Sequence, residues 1–121
     1  MDTTALDLVR SLCATFADQY SADLTDPASV ADQCHVVSSA FTTWWSTHGG
    51  QAEVVTGARF ERIPQLNVEA VVVAHQATVV TLPDGTTLVV DFTARQFDPH
   101  APVPVVVPLP VWREQWQPLS R

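Results

Sequence analysis

Lysine is absent from this chain, and its six basic residues, all arginines, face 13 acidic ones, for a formal net charge of -7. No run or stripe of basic side chains is available to neutralise phosphates, so nucleic acid and anionic membrane surfaces are poor partners. Charged residues are also few, at 16%, whereas hydrophobic residues make up 46%. Disordered chains have the opposite balance, so the composition predicts a globular protein.

Long hydrophobic runs are missing as well, because no apolar stretch approaches the ~20 residues of a membrane span. The opening residues, MDTTALDLVR, are acidic and amphipathic, and they lack the basic start and apolar centre of a signal peptide. We therefore expect a cytoplasmic protein with no membrane partner. A length of 121 residues suits one domain whose core is large enough to fold without disulfides or metals, so we predict a single domain over residues 1–121.

Only two cysteines are present, Cys13 and Cys34. In a reducing compartment such a pair is expected to be two core residues, or one core residue and one reactive residue, rather than a disulfide. Cys13 lies in an apolar stripe with helical spacing, which predicts a helix over residues 3–20 and a buried thiol.

Two more helix signals follow in the helical N-terminal part, residues 1–31, and just after it. Asp26-Pro27 has the pattern of an N-cap followed by proline at the first helical position. Helical spacing then predicts a helix over residues 33–48, ended by Gly49-Gly50.

The position of Cys34 within its helix has two interpretations. If Asp32 caps the helix, Cys34 falls in the first turn, where free backbone N–H groups and the helix dipole favour a thiolate. Alternatively, one helix runs from Pro27 through Trp45 and leaves Cys34 in its middle without that help.

From residue 51 the pattern becomes that of strands. The sequence predicts a short strand over residues 52–56, an irregular link over 57–66, and β-branched strands over 68–82 and 86–93. Helices followed by hairpin-linked strands predict an α+β fold, with the N-terminal helices packed on an antiparallel β-sheet.

The tail, residues 99–121, is rich in proline and tryptophan. Residues 103–107 are predicted to form an edge strand or an extended cover, and Trp112 and Trp116 are spaced to share one face of a helical turn. The valines and tryptophans favour a strap packed over the core. The alternative is a contact surface through which the tail binds a protein partner.

A three-residue turn, Pro83-Asp84-Gly85, links the two long strands. Proline suits the first central position of a type I turn, and glycine suits the left-handed position that closes the hairpin. This turn pairs Leu82 with Thr86 and thereby sets the register of the hairpin.

In this register His75, Ala77, Asp91 and Thr93 point to one face, and His75 and Asp91 are diagonal neighbours. A carboxylate among valines is costly unless it is paired, and a histidine on the same face is a natural partner. An aspartate bound to one ring nitrogen fixes the tautomer and leaves the other nitrogen free to act as a base. A two-residue turn would instead place the pair on opposite faces.

A cysteine at a helix start, a histidine on a strand and an aspartate on the next strand occur here in the order of a cysteine nucleophile triad. His75 would take the proton of Cys34, and Asp91 would orient the imidazole. The thiolate would attack a carbonyl and form a thioester, and the backbone N–H of Cys34 would supply part of an oxyanion hole.

The segments QCHVVSSAF and HQATVVTLPDGTTLVVDFTARQFD resemble the core of the papain-like and transglutaminase-like cysteine hydrolase superfamily. In transglutaminase-like proteins Gln-Cys-Trp opens the helix, a histidine lies on a strand and Asp-x-Thr ends the next strand. Papain-fold glutamine deamidase domains of bacterial toxins and effectors share this order and carry a glutamine shortly after the aspartate. The corresponding residues here are Gln33-Cys34-His35, His75, Asp91-Phe92-Thr93 and Gln96.

This resemblance implies a papain-like/transglutaminase-like core, a catalytic triad of Cys34, His75 and Asp91, and no cofactor. His35 departs from it, because transglutaminases carry an aromatic residue there, and an upstream glutamine for a papain-type oxyanion hole is not evident. The further candidates for contacts with the substrate or oxyanion are Gln33, Gln96, Arg95 and Trp45.

The predicted function is that of a small cysteine amidohydrolase, acting through a thioester on a side-chain amide of a protein or on a small amide. Deamidation suits so small a chain better than general proteolysis, although peptidase or acyltransferase activity uses the same intermediate. The alternatives are a non-catalytic binding domain of the same fold, and a zinc site built from Cys34, His75, Asp91 and His35. If these residues have only structural roles, His75 is a core histidine, and Asp91 is a strand-end cap or a partner of Arg95.

Overall fold

The computed structural model describes residues 3–48 and 50–119. In these residues it has helices α1 (Thr3–Gln19), α2 (Pro27–Val30), α3 (Cys34–Thr47) and α4 (Leu109–Gln115), and strands β1 (Gln51–Ile63), β2 (Val68–Thr81), β3 (Thr87–Asp91) and β4 (Val105–Pro108). The strands form one antiparallel sheet in the order β1-β2-β3-β4, and a 3-10 turn (Ala94–Gln96) follows β3. The predicted α+β class, with helices and an antiparallel sheet, is confirmed.

Helices α1 and α3 pack on one face of the sheet and form the main core. The apolar stripe predicted for the first helix is buried there, and the Cys13 thiol is fully enclosed. Burial raises the pKa of this thiol to about 12, because the charged thiolate loses its hydration. The other members of this core are Val9, Phe16, Leu24, Val30, Val37, Phe41, Trp45, Val80, Leu82, Leu88, Val90 and Phe92.

A short non-helical segment, residues 31–33, separates α2 from α3. Asp26 caps α2 as predicted, because its Oδ1 accepts the N–H of Ala28 at 3.0 Å and Pro27 is the first helical residue. Asp32 then adopts a left-handed φ of 59°, and α3 begins at Cys34. The alternative of one continuous helix is therefore wrong, and Cys34 lies in the first turn.

The predicted cap of α3 is also wrong. Asp32 cannot cap the helix from its left-handed conformation, and the N-cap is Gln33, whose side chain makes no capping hydrogen bond. At the other end the helix stops at Thr47 with His48 as C-cap, while Gly49 lies outside the described residues.

Strand β1 continues through the segment predicted to be an irregular link. It pairs with β2 as far as Ile63, with a register shift between Arg59 and Phe60, and Pro64 falls in the following turn. The strand pattern is weak in this segment because glycine and proline, here Gly57 and Pro64, are disfavoured in strands. Gly57 lies opposite His75, where a glycine leaves room for the tryptophans of the tail.

The hairpin between β2 and β3 has the predicted register. Leu82 donates its N–H to Thr86 at 2.8 Å, Gly85 has a left-handed φ of 89°, and Thr81 pairs with Thr87. The Asp84 carboxylate accepts the N–H of Thr86, and this hydrogen bond lowers the pKa of Asp84.

The tail covers the second face of the sheet. Strand β4 pairs with β3, which confirms the predicted edge strand, and α4 lies over the sheet beyond it. Trp112 in α4 and Trp116, the C-cap of this helix, stack at 6.2 Å between ring centroids and are each 4% exposed. These tryptophans therefore belong to a second core rather than to an exposed contact surface.

Within the described ranges, none of the helices combines the length and the apolar character needed to cross a membrane.

Candidate functional site

The two ionisable residues of the hairpin form a buried hydrogen-bonded pair. His75 Nε2 lies 2.7 Å from Asp91 Oδ2, and the residues are only 1% and 3% exposed. The second carboxylate oxygen, Oδ1, accepts the backbone N–H of Thr93 at 3.0 Å. Both oxygens therefore have a donor, as a buried carboxylate requires.

Aromatic rings close the site on the side covered by the tail. The His75 ring lies 4.8 Å from the Trp116 ring, 4.9 Å from the Phe97 ring and 6.2 Å from the Trp112 ring, measured between centroids. Gly57 makes this approach possible, because a Cβ there would collide with Trp116 and lie 2.8 Å from Trp112 Cη2. Water is thus excluded from this side of the imidazole.

The carboxylate of Asp91 determines which ring nitrogen of His75 is available. Because the carboxylate only accepts hydrogen bonds, Nε2 carries the proton and Nδ1 keeps its lone pair. Gln96 Nε2 lies 3.4 Å from Nδ1 and 3.2 Å from Thr93 Oγ1. Nδ1 is therefore the nitrogen that could act as a base, and Gln96 lies beside it.

Gln96 also links this pair to the start of α3. Its Oε1 accepts the backbone N–H of Asp32 at 3.3 Å, two residues before Cys34. On the other side of Cys34, His35 Nδ1 lies 2.7 Å from Oε1 of Gln76, the neighbour of His75. Residues on both sides of Cys34 therefore contact glutamines: Asp32 contacts Gln96, which lies beside the His75 ring, and His35 contacts Gln76, which follows His75 in β2.

Cys34 itself is the first residue of α3 and is half-buried. The backbone N–H groups of the first helical turn have no partner within the helix, so they point out at its N-terminus. In the described part of the chain its thiol makes no hydrogen bond, so the structure does not join Cys34 to His75 directly.

The two residues approach the site from different faces of the sheet. Helix α3 packs on the face of Thr78, whose Oγ1 donates to the Ser38 carbonyl at 3.1 Å. His75 points to the opposite face, under α4. Gln96, just past the end of β3, contacts both the His75 ring and the backbone of Asp32, two residues before Cys34.

The remaining candidates take other positions. Arg95 binds the carbonyls of Ala101 and Thr25, both at 2.9 Å, and fixes loops rather than pairing with Asp91. Trp45 lies in the main core, eleven residues after Cys34 and roughly 16 Å along α3, so it is remote from the site. Gln33 is exposed beside Cys34. The structure therefore brings together His75, Asp91 and Gln96, and it leaves out Arg95 and Trp45.

The zinc interpretation finds no support in the geometry. In residues 3–48 and 50–119, no three His, Cys, Asp or Glu side chains are grouped in a way that could hold a metal ion.

Sequence reasoning missed the contributions of Gly57, Phe97 and the tail tryptophans to this site. One signal was available, a glycine within a run of strand residues, which often marks a close approach by another segment. Nothing in the sequence paired that glycine with Trp112 and Trp116.

Comparison with known proteins gives no relative: no family model, no curated protein and no solved structure matches the chain.

Proposed function

We propose that the protein is a small cysteine-dependent amidohydrolase with a papain-like/transglutaminase-like core, in which Cys34 is the nucleophile, His75 the base and Asp91 the residue that orients it. The observation that supports this most is the buried 2.7 Å contact between His75 Nε2 and Asp91 Oδ2. It leaves Nδ1 unprotonated beside the Gln96 amide, and Gln96 Oε1 accepts the backbone N–H of Asp32, two residues before Cys34.

In the first half of the reaction, Nδ1 of His75 takes the proton of the Cys34 thiol, and the thiolate attacks the carbonyl carbon of an amide. The tetrahedral intermediate collapses when Nδ1 returns the proton to the leaving nitrogen. The C–N bond breaks, ammonia departs, and a thioester remains on Cys34.

In the second half, water attacks the thioester carbonyl and gives its proton to Nδ1. Collapse of this intermediate breaks the C–S bond and releases a carboxylic acid, and the proton on Nδ1 returns to the thiolate. The Asp91 carboxylate stabilises the imidazolium in both halves without taking its proton.

Gln96 is suited to stabilise the developing oxyanion. When Nδ1 is protonated it becomes a donor, so the Gln96 amide N–H that faces it loses its acceptor. That N–H is then free to donate to the substrate oxygen together with the backbone N–H of Cys34.

The primary amide of a glutamine side chain is the substrate group that fits best. Among the described residues, the aromatic cover closes one side of His75 and α3 lies on the other face of the sheet, so we expect the substrate to enter around the end of β3. We place this activity in the cytoplasm, where the thiol stays reduced.

The test is to incubate a cell lysate with the protein in heavy-oxygen water and to search its peptides for glutamine converted to glutamate. We expect converted sites that carry one heavy oxygen with the wild type and none with Cys34→Ala. New peptide termini with heavy oxygen would indicate a peptidase instead. Equal conversion by both proteins would refute the proposal.

A second candidate is a non-catalytic binding domain of the same fold. It is favoured by the Cys34 thiol, which makes no hydrogen bond among the described residues, and by the near-complete burial of His75. For this function Cys34→Ser would leave partner binding unchanged, and the lysate would show no conversion.

A further inference from the structure

Strand β2 extends well past the strand that neighbours it in the sheet. It pairs with β1 along its whole length, from Val68 to Thr81, but with β3 only from Thr78 to Thr81. Among the described residues, no strand lies beside the β3 side of residues 70–77. This free segment of β2 begins where β3 ends, next to the proposed active site.

The backbone groups of Ala74 point toward this free side. On the outer side of β1, Ala58 exchanges two backbone hydrogen bonds with Gln117, at 2.7 and 2.9 Å. Since N–H groups alternate along a strand, Gly57 and Arg59 turn inward and pair with His75 and Val73. Ala74 lies between those two residues, so its own N–H and C=O face away from β1.

The two outer edges of the sheet are protected against pairing. On β1, Gln117 occupies the backbone groups of Ala58, and Arg113 donates to the Thr56 carbonyl at 2.9 Å. The β4 edge includes Pro108 and is preceded by Pro102 and Pro104, which have no N–H to offer.

The free segment of β2 has no such protection and carries apolar side chains in solvent. Val71 and Val72 in this segment are 49% and 58% exposed, and Val68 and Leu66 near it are 47% and 66% exposed. Exposed valines beside unpaired backbone groups are the features that favour addition of another strand.

We propose that an extended segment of the protein substrate adds to β2 at this free edge, in line with β3, and thereby delivers a glutamine side chain to the catalytic residues. This inference rests on the proposed amidohydrolase function and specifies its substrate as an extended, unpaired protein segment. An added strand occupies the position that a longer β3 would have, so its near end meets Gln96 and His75. That continuity with the site favours the substrate over a second copy of this chain.

The experiment compares two probes with the wild-type protein. One is a blocked glutamine amino acid, which reports the chemistry alone, and the other is a short capped peptide with a central glutamine between valine and threonine residues. Two N-methylated forms of the peptide are also used. Each carries methyl groups on every second backbone nitrogen, and the nitrogens methylated in one form are unmodified in the other. Ammonia release gives kcat/KM for each probe.

We expect the peptide to exceed the blocked glutamine in kcat/KM by about tenfold or more, and one methylated form to lose that advantage while the other keeps it. Strand addition is wrong if both methylated forms react like the parent peptide, or if the parent peptide reacts no faster than the blocked glutamine. In either case the amidohydrolase activity itself would still be established. If neither probe releases ammonia, the proposed function itself fails, and this inference with it.

A matched pair of proline variants tests the location of the edge. Ala74→Pro removes an N–H on the free side of β2, and we expect it to lower kcat/KM for the peptide about tenfold. Val54→Pro removes an outward N–H from β1, on the far edge, and should leave that value unchanged. Equal effects of the two variants on kcat/KM would overturn the assignment of the edge. If the wild type sediments as a dimer and Ala74→Pro as a monomer, the edge binds a second copy of the chain instead.

Discussion

His75 Nε2 lies 2.7 Å from Asp91 Oδ2 in a pocket that also includes the rings of Phe97 and Trp116. This contact fixes the protonation of the imidazole and leaves Nδ1 next to Gln96. The register of the hairpin therefore determines whether the two side chains can interact, since a shift of one residue would place them on opposite faces of the sheet.

Replacement of the proposed nucleophile should abolish activity and spare the fold. Cys34 is half-buried and hydrogen-bonded to nothing in the described ranges, so Cys34→Ala should cost less than about 1 kcal/mol of unfolding free energy. Denaturant unfolding and the ammonia-release assay measure the two effects. A loss of about 2 kcal/mol or more would identify Cys34 as a core residue. Cys13→Ala, in the enclosed core, is the control that should be destabilised and remain active.

Replacement of the orienting carboxylate should reverse the tautomer. In Asp91→Asn one amide oxygen can still accept the Thr93 N–H, but the amide NH₂ then faces His75 Nε2 and forces the ring proton onto Nδ1. Activity should fall by about 100-fold or more, because Nδ1 can no longer accept the thiol proton. Nitrogen NMR of the histidine ring checks the tautomer directly. An unchanged rate would remove Asp91 from the site.

Gly57 should tolerate no side chain while the tail is in place. A Cβ at this position collides with Trp116, so Gly57→Ala should destabilise the protein by about 1–3 kcal/mol through overpacking. In a Trp116→Gly background, which removes the Trp116 Cβ that the new methyl group would strike, the same change should cost clearly less, and a double-mutant cycle measures the difference. Additive costs would show that Gly57 does not contact the tail.

Stability should fall at alkaline pH because of Cys13. Folding raises the pKa of its thiol from 9.0 to about 12. The stability that this group contributes is therefore fully present below pH 9.0 and is lost as the pH rises toward 12. Between these values the free energy of unfolding should drop by up to about 1.4 kcal/mol per pH unit from this group. Urea titrations of the wild type and Cys13→Ala at several pH values measure it. The variant should show a shallower slope, and parallel slopes would contradict the assignment.

The hairpin shows how much the sequence could predict. The Pro83-Asp84-Gly85 turn encodes its own geometry locally, so the register and the proximity of His75 to Asp91 followed from it. The start of α3 was predictable to within two residues. Its exact cap was not, because the choice depends on the left-handed conformation of Asp32, whose backbone N–H binds Gln96 far along the chain.

The tertiary partners of the site were not predictable. Gly57 reads locally as a strand breaker, and only the tryptophans packed over it explain why the strand continues. Arg95 and Trp45 were reasonable candidates from sequence proximity and residue type. Arg95 instead fixes two loops, and Trp45 lies in the main core, because side-chain direction depends on packing.

The central claim is that His75 activates Cys34, and the rate of alkylation of each cysteine against pH tests it most directly, read by mass spectrometry with iodoacetamide. Cys13 is the internal control, since its thiol is buried with a pKa of about 12 and should not react in the folded protein. His35→Ala is the matched control variant, because it removes the imidazole next to Cys34 in sequence and leaves His75 in place. We predict rapid modification of Cys34 at about pH 6 that is lost in His75→Ala and kept in His35→Ala. A Cys34 that reacts only above about pH 8, or equally fast in both variants, would contradict the account.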